Sequence, residues 1–200
     1  MERLFHKEKT RDWIVLEGID GVGKSTLAQR VIEQMPLVRV FEEPHGTVGG
    51  RAVAELIDSD LYNADAHILF FGGLVSTTIE KHINPALQMG RKVISVRSFP
   101  STLAYQGTTP EKTQFIADMY SYVLRDQPAP AVVLVTCDFE ESIKRTEARD
   151  GVRPSLREIN RLEEVCNRYY QMADKFGWEV LGTNTDVNKS VESLVKLVNE

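Results

Sequence analysis

Short apolar runs, separated by stretches in which apolar residues recur every three or four positions, organise this chain. Trp13-Ile14-Val15-Leu16 is a continuous apolar run of the kind that a strand buried on both faces shows. A glycine-rich turn follows, and then Leu27, Ala28, Val31, Ile32 and Met35 fall on one helical face up to Pro36, which predicts a helix starting at Lys24. The alternation continues with Leu37 to Phe41 as a second strand, a Gly/Pro loop through Gly50, and helical segments over about 51–60 and 64–89 with Gly90 at the C-cap. Lys92 to Val96 reads as a third strand, Arg97 to Gly107 as a loop, and about 110–125 as a helix. Ala131 to Val135 predicts strand four, Phe139 to Arg149 a helix interrupted at Gly151 and Pro154 and resumed to Lys175, Trp178 to Leu181 strand five, and Val187 to Val198 a closing amphipathic helix. Strands and helices in this order predict an α/β fold of three layers, α/β/α, with a mostly parallel five-stranded sheet covered on both faces. No repeat or linker interrupts it, so one domain is expected over residues 1–200, with a polar tail over about 1–11.

Composition narrows the classes. The chain has 200 residues, 42 % hydrophobic and 26 % charged, enough for a core without disulfide support. Cys137 and Cys166 have neither CxxC spacing nor a companion His cluster, so reduced thiols and no cysteine metal site are expected. No stretch approaches 18 uninterrupted apolar residues, and the charged start MERLFHKEKTRDW has no apolar signal core, which predicts a cytoplasmic protein with no membrane association. The formal net charge of −5 weighs against broad nucleic-acid binding, leaving it a disfavoured partner through a local basic patch.

The chemistry starts between the first strand and its helix. Gly18-Ile19-Asp20-Gly21-Val22-Gly23-Lys24-Ser25 fits G-x-x-x-x-G-K-[ST]. A phosphate needs several N–H donors converging without Cβ obstruction, which the glycines permit and the helix N-terminus supplements. Lys24 adds a mobile cation for the β and γ phosphates, Ser25 a hydroxyl for Mg²⁺, and Thr26 a first-turn residue, so ATP and Mg²⁺ are the expected cofactors. Phosphoryl transfer further asks for cations around the transferring group. Arg97 follows strand three, at the end where ligands collect in open α/β sheets. Residues 144–161, KRTEARDGVRPSLREINR, carry a local excess of arginines broken by Gly151 and Pro154, which suggests a mobile lid bringing Arg149 or Arg153 onto the triphosphate. Phe70 and Phe71 are candidates to stack on a base, and Ser101, Tyr105 and Gln106 offer hydrogen bonds suited to a pyrimidine edge.

In word order over about residues 12–200 the chain resembles the thymidylate kinases and related nucleoside monophosphate kinases. The resemblance is carried by VLEGIDGVGKSTLA at 15–28, EEPHGT at 42–47, ILFFGG at 68–73, and INPALQMGRKVIS leading into VRSFPSTLAYQG at 96–107. It implies transfer of the γ-phosphoryl group of ATP to a deoxynucleoside monophosphate such as dTMP, a closing lid and a homodimer. It also implies Arg97 on the acceptor phosphate, Asp20 beside the acceptor sugar, Phe71 against the base, and Glu43 as the Glu-Pro step of the family loop. The chain departs from the pattern at Glu42, where the family has arginine; at Val96, where it has aspartate; and at Gly72-Gly73-Leu74-Val75, where it has Ala-Asp-Arg after the phenylalanine. Loss of the strand-three carboxylate leaves Glu17, Asp20 or Glu43 to accompany Ser25 at the metal. Glu42 is expected at the acceptor. Two alternatives follow: a kinase for a hydroxyl acceptor, a deoxynucleoside or hydroxymethylated pyrimidine free or in DNA, with Glu42 or Glu43 as base; and a nonenzymatic nucleotide-binding regulator.

Overall fold

The computed structural model describes residues 9–59, 61–184 and 186–199. Strand β1 (Lys9–Glu17) turns into helix α1 (Lys24–Gln34), followed by β2 (Arg39–Glu42), α2 (Val48–Asp58) and α3 (Ala64–Thr78). A π-helical turn at Ile79–Ile83 joins α3 to the short α4 (Asn84–Gln88). Then come β3 (Val93–Val96), α5 (Phe99–Gln106), α6 (Pro110–Val123), β4 (Ala129–Thr136), α7 (Phe139–Asp150), α8 (Leu156–Phe176), β5 (Glu179–Gly182) and α9 (Val187–Asn199).

The five strands form one sheet in the order β2-β3-β1-β4-β5, every pairing parallel. The apolar run that marked the first strand lies at its centre, with Trp13, Ile14, Val15 and Leu16 buried on both faces by flanking helices. The indole N–H of Trp13 donates to the Ser95 hydroxyl at 2.9 Å, so the one polar atom of that side chain enters the core with a partner. Helix α8 opens with Ser155 and Glu158 capping each other's backbone N–H groups, directly after the Pro154 break.

Three expectations on element boundaries change. β1 begins at Lys9, where Lys9 and Thr10 pair with Ala129 and Pro130, because backbone pairing at a sheet end needs no apolar side chains. The remainder of the expected polar tail, residues 1–8, lies outside the described residues. Within the expected loop 97–107 the structure has helix α5, since Pro100 falls in its first turn, where no intrahelical N–H bond is lost. The single helix expected over 64–89 is divided by the π-helical turn.

The topology sets the site. The chain leaves β1 toward β2 and leaves β3 toward β4, on opposite sides, so the C-terminal ends of these adjacent strands open a crevice between diverging connections. Leu16 and Val96 are in register there, and the Arg97 N–H donates to Leu16 O at 2.9 Å.

Candidate active site

The segment from Gly18 to Ser25 wraps the C-terminal end of β1 and enters α1 with Gly21 at φ +79° and Gly23 at φ +94°, conformations that side chains disfavour. A Cβ on Gly21 would stand 2.1 Å from the Ser142 carbonyl oxygen, so the loop is also pressed against α7. The Lys24 ammonium donates to the carbonyls of Gly18 at 2.9 Å and Ile19 at 2.7 Å, folded back over the loop. Burial, reinforced by the Arg97 guanidinium, pushes its pKa down to about 7. The Ser25 hydroxyl donates to Glu42 Oε1 at 2.6 Å, which brings Glu42 to the phosphate loop. Ser25 and Glu42 thus present two accessible hard oxygens, a donor set that suits Mg²⁺.

Arg97 stands at the centre of the crevice in a left-handed backbone conformation, φ +68°. Nη2 binds Asp20 Oδ1 at 2.6 Å, and Nη1 donates to the Ser101 hydroxyl at 3.1 Å. This guanidinium holds the Asp20 carboxyl down to about 2. A left-handed non-glycine residue is strained by about 1–3 kcal/mol, and the N–H of the next residue, Ser98, is tied down by the Glu17 carboxylate. Glu17, fully buried, accepts from the N–H groups of Ser98 at 2.9 Å and Ser101 at 3.2 Å, and from the Ser101 and Tyr169 hydroxyls at 2.6 and 2.8 Å. Burial raises its pKa above the usual carboxylate value despite Arg97 and these donors.

Phe71, Tyr105, Gln106 and Ser101 line the same cleft as Asp20, Lys24, Thr26 and Arg97. Phe70 turns instead edge-on to Tyr62, with centroids 5.0 Å apart. Tyr105 lies under Arg97, 5.3 Å from guanidinium carbon to ring centroid, and Arg161 approaches the same ring at 5.9 Å. Gly72 has a packing reason: a Cβ there would stand 2.5 Å from Met119 Sδ on α6. Glu43 is buried, its Oε1 accepting from the Thr78 hydroxyl on α3, and burial raises its pKa.

The two lid arginines diverge. Arg149 lines the cleft and makes a two-point contact with Asp150, Nε to Oδ1 at 2.6 Å and Nη2 to Oδ2 at 2.9 Å. Arg153 pairs with Glu140 at 3.3 Å and Glu147 at 3.2 Å along α7, away from the cleft lining. Arg145 and Arg161, not singled out from the sequence, also line the cleft, and Arg145 Nη1 donates to Thr183 Oγ1 at 3.2 Å beside the phosphate loop. Glu17 as an anchor for Arg97 was the other omission. Its signal was present, an acid ending an apolar strand just before the glycine loop, whereas Tyr169 carries no local mark.

The cleft has a volume of about 1310 Å³, beyond the roughly 300–1,000 Å³ that one small ligand fills. It brings together the phosphate loop, the four arginines Arg97, Arg145, Arg149 and Arg161, and the aromatic side chains Phe71 and Tyr105. Among the described residues, no helix is long and apolar enough to cross a membrane.

Known proteins share the sequence pattern and the fold of this chain. The sequence profile of the family described as Thymidylate kinase matches residues 16–196. A probable thymidylate kinase of Pyrococcus abyssi is 31 % identical over 197 residues, covering 93 % of this chain and 95 % of that protein. A thymidylate kinase of Ruegeria pomeroyi is 32 % identical over 146 residues, covering 70 % of this chain and 69 % of that protein. The crystal structure of thymidylate kinase from Ehrlichia chaffeensis superposes with a TM-score of 0.70 at 24 % identity, covering 93 % of this chain and 97 % of that one, which supports the fold. A nucleotide-sized cleft, a complete phosphate loop and a match running through nearly the whole chain converge on one conclusion: this protein belongs to the thymidylate kinase family.

Proposed function

We propose that this protein is an ATP-dependent nucleotide kinase that moves the γ-phosphoryl group of ATP to a deoxynucleoside monophosphate of the dTMP type. The observation that carries the reading is the junction of the Gly18–Ser25 loop with Arg97 and Asp20 on adjoining strand ends, inside one cleft. An oxygen of the acceptor phosphate attacks the γ-phosphorus, the bond to the β,γ-bridging oxygen breaks, and ADP and a nucleoside diphosphate leave. Lys24 exchanges the carbonyls of Gly18 and Ile19 for the γ-phosphate oxygens, regaining full charge beside them. Arg97 holds the acceptor phosphate, Asp20 orients Arg97 and meets the sugar, and Phe71, Tyr105 and Gln106 face the base. Arg149 releases Asp150 and adds a cation as the lid region closes. Ser25 is the loop residue that would hold Mg²⁺, which would supply countercharge to the ATP phosphates.

The exposed apolar side chains Leu69, Phe115 and Tyr122 on helices α3 and α6 support a homodimer, and the family relationship supports a cytoplasmic location. The decisive test is ATP consumption with nucleoside monophosphates and nucleosides as alternative acceptors. Preference for a pyrimidine deoxynucleoside monophosphate supports the reading, and preference for a nucleoside hydroxyl overturns it in favour of a hydroxyl kinase.

A further inference from the structure

Four carboxylates surround the phosphate loop, and their partners separate them. Glu17 is fully buried and engaged by Ser98, Ser101 and Tyr169. Asp20 is drawn to Arg97 at 2.6 Å. Glu43 is buried and accepts from Thr78 on α3. Glu42 alone of the four meets the loop serine, its Oε1 2.6 Å from Ser25 Oγ, and both residues line the cleft at accessible positions.

We propose that Glu42 is the protein carboxylate that, together with the Ser25 hydroxyl, holds the divalent cation of the metal–ATP complex. The inference rests on the kinase reading above. Mg²⁺ binds oxygens at about 2.0–2.1 Å in an octahedron, so two ligands on adjacent corners stand roughly 2.9 Å apart. Ser25 Oγ and Glu42 Oε1 already stand at 2.6 Å, so exchanging their hydrogen bond for a shared cation needs a separation of only a few tenths of an ångström. Backbone placement is fixed independently: Glu42 is the last residue of β2, in register with Val96 at the end of β3, and its neighbour Glu43 donates its N–H to Val96 O at 3.0 Å. The strand end beside the loop therefore has an apolar residue on β3 and an acid on β2. One or two carboxylates with substrate phosphates and water are the usual Mg²⁺ donor set in phosphoryl-transfer sites, and Glu42 supplies one.

The test measures ATP affinity by titration calorimetry for the wild type, Glu42→Gln and Glu43→Gln, each with chelator and with saturating Mg²⁺. Mn²⁺ electron paramagnetic resonance of the Mn²⁺–ATP complex serves as a second readout, and thermal melts confirm folding. The expected result is that Glu42→Gln binds metal-free ATP within about threefold of wild type but loses at least tenfold of the Mg²⁺-dependent gain and alters the Mn²⁺ spectrum, while Glu43→Gln keeps both. A wild-type gain and spectrum in Glu42→Gln overturns the inference, as does an equal loss of ATP affinity with and without metal. Should Glu42→Gln fail to fold, Glu42→Asp decides the matter: retained folding with a shifted Mn²⁺ spectrum supports the inference, and an unchanged spectrum overturns it. Wild-type protein that binds no ATP under either condition overturns the kinase reading itself, a different result from an unaffected metal gain.

Discussion

Glu17→Gln separates the positioning of Arg97 from the stability of the fold. Glu17 accepts two backbone N–H bonds from the segment that holds Arg97 at φ +68°, along with two hydroxyl bonds. The glutamine keeps a carbonyl oxygen for the Ser98 and Ser101 N–H groups but removes the charge, and a charge-assisted bond of about 1.5–3 kcal/mol becomes a neutral one of about 1 kcal/mol. Over two bonds the segment loses about 1–4 kcal/mol of restraint, which corresponds to roughly a 5- to 900-fold drop in kcat/KM for the acceptor if Arg97 is needed in that geometry. Stability behaves differently. Burial raises the folded-state pKa of Glu17, so the folded protein binds its proton more tightly than the unfolded chain does. That contribution is fully present below the unfolded carboxylate value and is lost as pH rises through the folded one, because burial penalises the charged form. Removing the charge offsets the weakened bonds, and Tm is expected to move by no more than about 4 °C. Steady-state kinetics with each substrate varied, alongside thermal melts, read both quantities. Acceptor kinetics within twofold of wild type would refute the reasoning, as would equal losses toward ATP and acceptor.

Lys24→Ala is expected to leave the melting temperature within a few degrees and to lower turnover by about a thousandfold or more, checked by ADP release. Because the Lys24 pKa lies at about 7 and anionic phosphates favour its charged form, ATP binding should take up a proton near and above pH 7 and weaken as pH rises further; calorimetry in buffers of different ionisation enthalpy measures the uptake. Gly21→Ala should abolish ATP binding, since its φ of +79° and the Ser142 carbonyl 2.1 Å from the new Cβ both force the loop to move; equilibrium ATP titration tests it. Arg149→Ala should cost at least tenfold in kcat, whereas Arg153→Ala, whose partners are Glu140 and Glu147, should stay within about threefold, as measured at saturating substrates.

Periodicity made the layers legible because a strand buried on both faces must be apolar throughout, as Trp13 to Leu16 are, and a covering helix must be apolar on one stripe, as Val191, Leu194 and Val198 are. The phosphate loop was legible because its glycines meet a local steric demand. Helix α5 was hidden by Pro100, a residue that stops a helix from within yet suits its first turn. The Arg97 cage joins residues as distant in sequence as Glu17 and Tyr169, and no short-range pattern encodes such a pairing. Glu42 illustrates a subtler difficulty. The family resemblance placed that position at the acceptor, but a carboxylate has no reason to follow an arginine's direction, and its hydrogen bond runs to Ser25. The local excess of arginines over residues 144–161 likewise did not separate Arg149 from Arg153, because the turn at Gly151 re-aims everything after it.

The central claim, phosphoryl transfer between two nucleotides in the cleft between β1 and β3, is tested most directly by ³¹P nuclear magnetic resonance of the purified protein with ATP, Mg²⁺ and dTMP. The account predicts that ATP and dTMP signals fall together while ADP and dTDP rise in equal amounts, and that thymidine in place of dTMP yields no phosphorylated product. Absence of dTDP while ATP is consumed, or formation of dTMP from thymidine, would contradict it.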